Sequence, residues 1–179
     1  MKKLLFLCMV LSLTVQAFGH GGVSKEILKQ LFPEAENFVN RQKALTAQQV
    51  SEVERDSGDL VQEVDKNLNV FVAVAKDPAT GKMRSIGAVL MVDARGSAGA
   101  IDLVVAYNLD GSVKKVLVAE NQDDKALESN SFLGQFEGKG PSDSWDPAKD
   151  FKLAGNPSSA RALISAVHRG MHLFLAFIS

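Results

Sequence analysis

Two short stretches carry the residue types that could do chemistry. In Ala154-Gly155-Asn156-Pro157-Ser158-Ser159-Ala160-Arg161, a turn hands over to the longest helix-like run. Asn156 suits a helix N-cap, and Pro157 suits the first helical position, where its missing N–H costs nothing. Gly155 lets a ligand approach the backbone. The N–H groups of Ser158, Ser159 and Ala160 would lie at the positive end of the helix dipole, with two hydroxyls and the charge of Arg161 beside them. That combination reads as a seat for a phosphate, although the same residues also serve as a plain helix cap. Seven residues further on, His168 and His172 stand one helical turn apart, a spacing that could hold a metal or a haem iron. They lack an intervening Glu and an acidic third ligand, and Arg169 between them would repel a cation. A solvated histidine face is therefore the expectation, and no metal site is assigned.

Lesser candidates lie elsewhere. Asp123 and Asp124 read as a solvated acidic turn, without the spacing of a calcium loop. Phe132 and Phe136 are spaced to join a core, and Trp145 sits in a polar loop where it could cover a ligand or only a hydrophobic edge. Arg95-Gly96-Ser97-Ala98-Gly99 lacks the Gly-Lys-Thr/Ser of a phosphate loop and leads into a strand.

Positioning these groups falls to an α+β framework, a twisted antiparallel sheet with N-terminal helices and a long C-terminal helix. Ile27, Leu28, Leu31 and Phe32 give Ser24–Phe32 a helical pattern that Pro33 ends. Thr46 caps a second helix running to about Asp56. Apolar runs at Asn69–Ala75, Ser85–Val92, Ala100–Asn108 and Val113–Glu120 are four strands, separated by turn chemistry at Asp77–Gly81, Arg95–Gly99 and Asp110-Gly111. Connections this short force an antiparallel sheet. The last helix, about Ser158 to Ile178, has an apolar face of Leu163, Ile164, Val167, Met171, Phe174, Leu175 and Ile178 and turns Arg161, Ser165, His168, Arg169 and His172 to its polar side.

The chain opens like an export signal, with Lys2 and Lys3, an apolar core from Leu4 to Val15 and a small-residue site at Val15-Gln16-Ala17. A spanning helix needs roughly 20 apolar residues, more than this core supplies. The expected organisation is a signal peptide at 1–17, with cleavage after 19 as the other option, and one domain at 18–179. The sole cysteine, Cys8, lies inside the signal, which leaves the mature chain without a disulfide or a thiol centre. Loss of Lys2 and Lys3 moves the formal charge from −1 to about −3. With no basic stripe among aromatics, nucleic acid is not an expected partner. A terminus reading Phe18-Gly19-His20 could enclose Cu(II) or Ni(II).

The larger pattern resembles the FMN-binding domain found in subunits C and G of sodium-pumping and Rnf-type respiratory complexes and in many small exported flavoproteins. Gly155, Ser159, Arg161-Ala162 and Ala166-Val167 fall in register with the family signature Ser-Gly-Ala-Thr-x-Thr/Ser and the helix that follows it. Phe132-Leu133-Gly134-Gln135-Phe136-Glu137-Gly138-Lys139 and Leu31-Phe32-Pro33-Glu34-Ala35 look like two further family segments. The resemblance implies an exported electron carrier, not an enzyme, that binds FMN with Gly155, Asn156, Ser158, Ser159 and Arg161 around the phosphate. It also implies that the acidic stretch after the last strand lies near the flavin. In covalent members the phosphate is esterified to a Thr, and the aligned Pro157 has no nucleophilic atom. Non-covalent binding is the expectation, with Ser158 the attachment point if the alignment shifts by one. The implied partners are redox proteins of the cell envelope, in a periplasmic or membrane-associated complex, and a flavin transferase if attachment is covalent. A flavin-free structural or partner-binding subunit of the same fold, and a copper- or haem-binding protein using His20 or His168 and His172, are the alternatives.

Overall fold

The computed structural model describes residues 22–179; the signal segment expected at 1–17, its cleavage site and His20 lie outside the described residues. Helix α1, Lys25–Leu31, begins where the Ser24 side chain accepts the Ile27 N–H at 3.3 Å and ends at Phe32, ahead of Pro33. Helix α2, Ala47–Ser57, is held by a reciprocal capping box, Thr46 accepting from the Gln49 N–H while the Gln49 side chain accepts from the Thr46 N–H. Both helices lie where their caps and periodicity put them.

Five strands, not four, make the sheet. Between the two helices runs β1, Asn37–Ala44, followed by β2, Asn67–Lys76, β3, Met83–Arg95, β4, Ala100–Asn108, and β5, Val113–Asn121. Their order is β1-β2-β3-β4-β5, every neighbour antiparallel; short turns join β2 to β5, while α2 and a 3-10 turn at Glu63–Lys66 lie between β1 and β2. Strand β1 reads Asn-Phe-Val-Asn-Arg-Gln-Lys-Ala and is largely exposed, so it lacks the apolar run that marks the other four. Its backbone pairs with β2 from Asn37 opposite Val74 to Ala44 opposite Asn67. An edge strand needs only one ladder and little side-chain burial, and that is why composition did not betray it.

After β5 the chain makes a short 3-10 turn at Lys125–Glu128, helix α3 at Asn130–Leu133 and a further 3-10 turn at Gly134–Phe136. A polar loop then leads to α4, Pro157–Ile178, which covers one face of the sheet. Strand alternation sends Leu90 and Val92 of β3 and Ile101, Leu103, Val105 and Tyr107 of β4 to that face, where they meet Leu163, Ile164, Val167, Met171 and Phe174. Burying each such side chain contributes about 1.5–3 kcal/mol. Helix α1 seals the opposite face, with Leu28, Leu31 and Phe32 against Ala73, Val89, Val104 and Ala106.

The seating of α4 depends on contact without a side chain. A Cβ at Gly170 would lie 2.5 Å from the Tyr107 hydroxyl and 2.8 Å from Val92 Cγ1, so only glycine lets the helix come this close. Tyr107, fully buried, donates its hydroxyl to the Val167 carbonyl at 3.0 Å and stacks on Phe174 with centroids 5.6 Å apart. One turn-neighbour departs from the outward-facing expectation. Arg169 is buried, paired with Asp59, 3.5 Å from Asp65, and donating to the Asp93 carbonyl at 2.7 Å. It ties α4 to the segment after α2 and to β3. A guanidinium can be buried when several acceptors share its charge.

Candidate functional site

Helix α4 starts as its residues dictate. Pro157 occupies the first turn, and the Asn156 side chain accepts the N–H groups of Ser158 at 2.9 Å and Ser159 at 3.3 Å. The Ala160 N–H goes to the Asn156 carbonyl. The three amides expected to face a phosphate are therefore committed to the cap. Gly155 holds φ +56°, in the left-handed region that glycine adopts at little cost. Gly155, Asn156, Ser158 and Arg161 are exposed, whereas Ser159 is fully buried.

The turn after β5 folds onto this helix end. Asp124 accepts the Asn156 N–H at 2.7 Å with one carboxylate oxygen and the Ala126 N–H at 2.9 Å with the other. A Cβ at Gly155 would collide with the Asp124 carboxylate. Asp123 reaches the other way, into the turn between β3 and β4. It accepts the main-chain N–H groups of Ala98 at 2.5 Å and Gly99 at 3.1 Å, while its second oxygen accepts the Asp124 N–H at 2.8 Å. These donors, led by the Ala98 N–H and then the Ser159 hydroxyl, hold the Asp123 carboxyl at about 2 against some desolvation. Ser159 also accepts the Ser97 N–H at 2.9 Å and shares a hydrogen bond with the Ser97 hydroxyl at 3.0 Å. Its hydroxyl thus locks the β3–β4 turn to α4.

Three segments far apart in sequence, 96–99, 121–126 and 155–159, accordingly form one knot of backbone amides gathered on carboxylates. The acids read as a solvated turn are its organising groups. No local signal identifies that role, because the partners lie about 25 to 32 residues away on other elements. Chemically, the knot is an anion-accepting arrangement whose anions belong to the chain itself.

The aromatics form a second cluster. Phe132 and Phe136 are buried, in edge contact at 5.7 Å, and Phe151 lies 5.1 Å from Phe136; they are core, as their spacing allows. Trp145 closes this cluster, its indole N–H donating to the Gly140 carbonyl at 3.2 Å. Its outer face stacks on His168 at 4.7 Å and 11°. His168 and His172 do not form a solvated face. Both are half-buried, their Nε2 atoms 3.2 Å apart. Burial first, then His172 and Lys139, push the His168 imidazole down to about 4, and burial lowers His172 against the pull of Asp56. Among the described residues no group of three or more His, Cys, Asp and Glu comes together as a metal cage, and no helix is long and apolar enough to cross a membrane.

No protein-family model matches the sequence, and no curated protein matches it.

Proposed function

We propose that the chain is an exported electron carrier that binds FMN non-covalently, with the phosphate at the N-terminus of α4. Gly155, Asn156, Ser158 and Arg161 face the phosphate, and Ser159 supports them from beneath by holding the β3–β4 turn. The observation that supports this reading is the contact between Asp124 and Asn156 at 2.7 Å. It joins the two segments that the family resemblance expects near the flavin, and it marks the Asn156 amide as a donor to an anion. A phosphate entering there exchanges one anion for another, so the amides stay satisfied while the Asp124 side chain swings outward. FMN supplies the electron chemistry; this chain supplies the donors and the positive helix end. Its partners are redox proteins of the cell envelope.

A second reading has its own observation. The amides of Ser158, Ser159 and Ala160 are already used, and Asp123 and Asp124 bring two negative charges to the place where a phosphate would sit. A flavin-free, partner-binding subunit of the same fold fits that arrangement.

One experiment separates them. The mature protein is purified from a flavin-competent host and its absorption recorded before and after acid precipitation. A flavin band at about 450 nm that acid releases supports the carrier. A colourless protein that stays colourless after soaking with FMN rejects it and supports the partner-binding subunit. Colour retained in the pellet overturns non-covalent binding and points to Ser158.

A further inference from the structure

We propose that His168 and His172 form a binding site for a late first-row divalent cation, with Cu(II) held most tightly. Their Nε2 atoms converge at 3.2 Å, one helical turn apart on α4. The pair shares a hydrogen bond there, and a cation would take the place of its proton. Two nitrogens bound to one ion at about 2.0–2.1 Å lie roughly 2.9 Å apart when cis in a square plane and roughly 3.3 Å apart in a tetrahedron, so the pair is close to the required bite.

The rings are also held in place. His168 is fixed from its face by the Trp145 stack at 4.7 Å, and the indole is itself anchored on the Gly140 carbonyl. The Ser57 main chain of α2 favours the protonated His168 ring against its burial. The entropy of ordering the donor is spent in folding and not at the moment of binding.

The charge around the pair favours a cation. Arg169, which the sequence sets between the two histidines, is turned into Asp59 and the Asp93 carbonyl on another side of the helix. Glu52 and Asp56 of α2 line an open groove together with His172, Pro141 and Leu175; the Asp56 carboxylate is held by Arg55 at 2.7 and 3.0 Å, which leaves Glu52 to supply the negative charge there. Lys139 is the opposing charge near His168; its ammonium is engaged by the Ser144 carbonyl at 2.9 Å and lies over the Phe151 ring at 4.8 Å. With two protein donors, water or a small ligand completes the coordination, which makes the ion exchangeable. The order of affinity for such a nitrogen site runs Cu(II) above Ni(II) and Zn(II). This inference does not depend on the flavin reading.

Trp145 is the only tryptophan in the chain, and it stacks on one of the ligands. The test titrates CuCl2 into the full chain carrying His20→Ala, which removes the N-terminal copper donor, and follows Trp145 emission. Saturating quenching at one equivalent is expected, reversed by excess EDTA. In the double variant with His172→Gln, which leaves the Trp145–His168 stack in place, the midpoint should rise at least tenfold. An unchanged midpoint in that variant overturns the site. Pulsed electron paramagnetic resonance of the Cu(II)-loaded His20→Ala protein gives a reading that needs no second variant. Coupling to two imidazole nitrogens supports the site; a spectrum with oxygen donors alone overturns it.

Discussion

The Asp124 carboxylate accepts the main-chain N–H of Asn156 at 2.7 Å, across 32 residues, and thereby sets a fixed negative charge at the positive end of α4. This contact stabilises the helix end and at the same time competes with any external anion.

Replacing Asp124 with Asn should therefore tighten FMN binding while weakening the fold. Removing a charge within about 4 Å of a phosphate is worth roughly 1 kcal/mol or more, or about a fivefold to tenfold lower Kd. Titration of flavin fluorescence on both proteins measures it. An unchanged or weaker Kd would remove Asp124 from the seat.

Asn156→Ala deletes the cap that serves both the Ser158 and Ser159 amides. The expected loss is about 1 kcal/mol, within the range of ~0.5–2 kcal/mol seen for such caps, or a Tm lower by roughly 2–4 °C for a domain of this size. Thermal unfolding by circular dichroism reads it directly.

Gly170→Ala inserts a methyl group where the Tyr107 hydroxyl and Val92 already stand. Either α4 lifts from β3 and β4 or Tyr107 loses its bond to Val167. Both routes cost about 1–3 kcal/mol, readable as a lower urea midpoint. The companion Tyr107→Phe removes only the hydroxyl and should cost about 1 kcal/mol.

Arg169→Ala leaves the carboxylates of Asp59 and Asp65 without their shared cation. Asp65 lies well inside, so the loss should reach about 3–5 kcal/mol, several times that of an exposed pair such as Lys66 with Glu63. Chemical denaturation of the two variants side by side tests the contrast.

Acidification should weaken the fold in two stages. His168 has its pKa depressed to about 4 from 6.5, so its contribution is present above about pH 6.5 and is lost as pH falls through 4. Asp123 is depressed to about 2 from 3.8, and its contribution is lost between those values. Urea midpoints taken at intervals from pH 7 to 2 should show both declines. His168→Phe, which keeps a ring on Trp145, should flatten the first and leave the second.

Much of the fold was legible along the chain. Ser24, Thr46 and Asn156-Pro157 mark helix starts because capping is a contact between residues two or three apart. The runs that become β2 to β5 were visible because burial on at least one face demands Val, Ile, Leu and Ala. Strand β1 was invisible for the converse reason: at the edge, with polar side chains in water, its only requirement is a neighbour's backbone. Periodicity turns Arg169, His168 and His172 of α4 outward, yet Arg169 is buried and both histidines are half-buried, since periodicity assigns a face but not what packs there. Asp59 and Asp93 drew in the arginine, and the polar loop carrying Trp145 covered a histidine.

The candidate site divides along the same line. Sequence by itself determined every main element but β1 and the position of a capped, glycine-preceded helix end, because those depend on neighbours along the chain. Tertiary structure alone decided that Asp123 and Asp124 fill that end, that Ser159 turns inward to Ser97, and that two imidazoles converge beside Trp145. Such contacts join segments separated by tens of residues, and only the closing of the sheet under α4 brings their charges and hydrogen bonds within reach of one another.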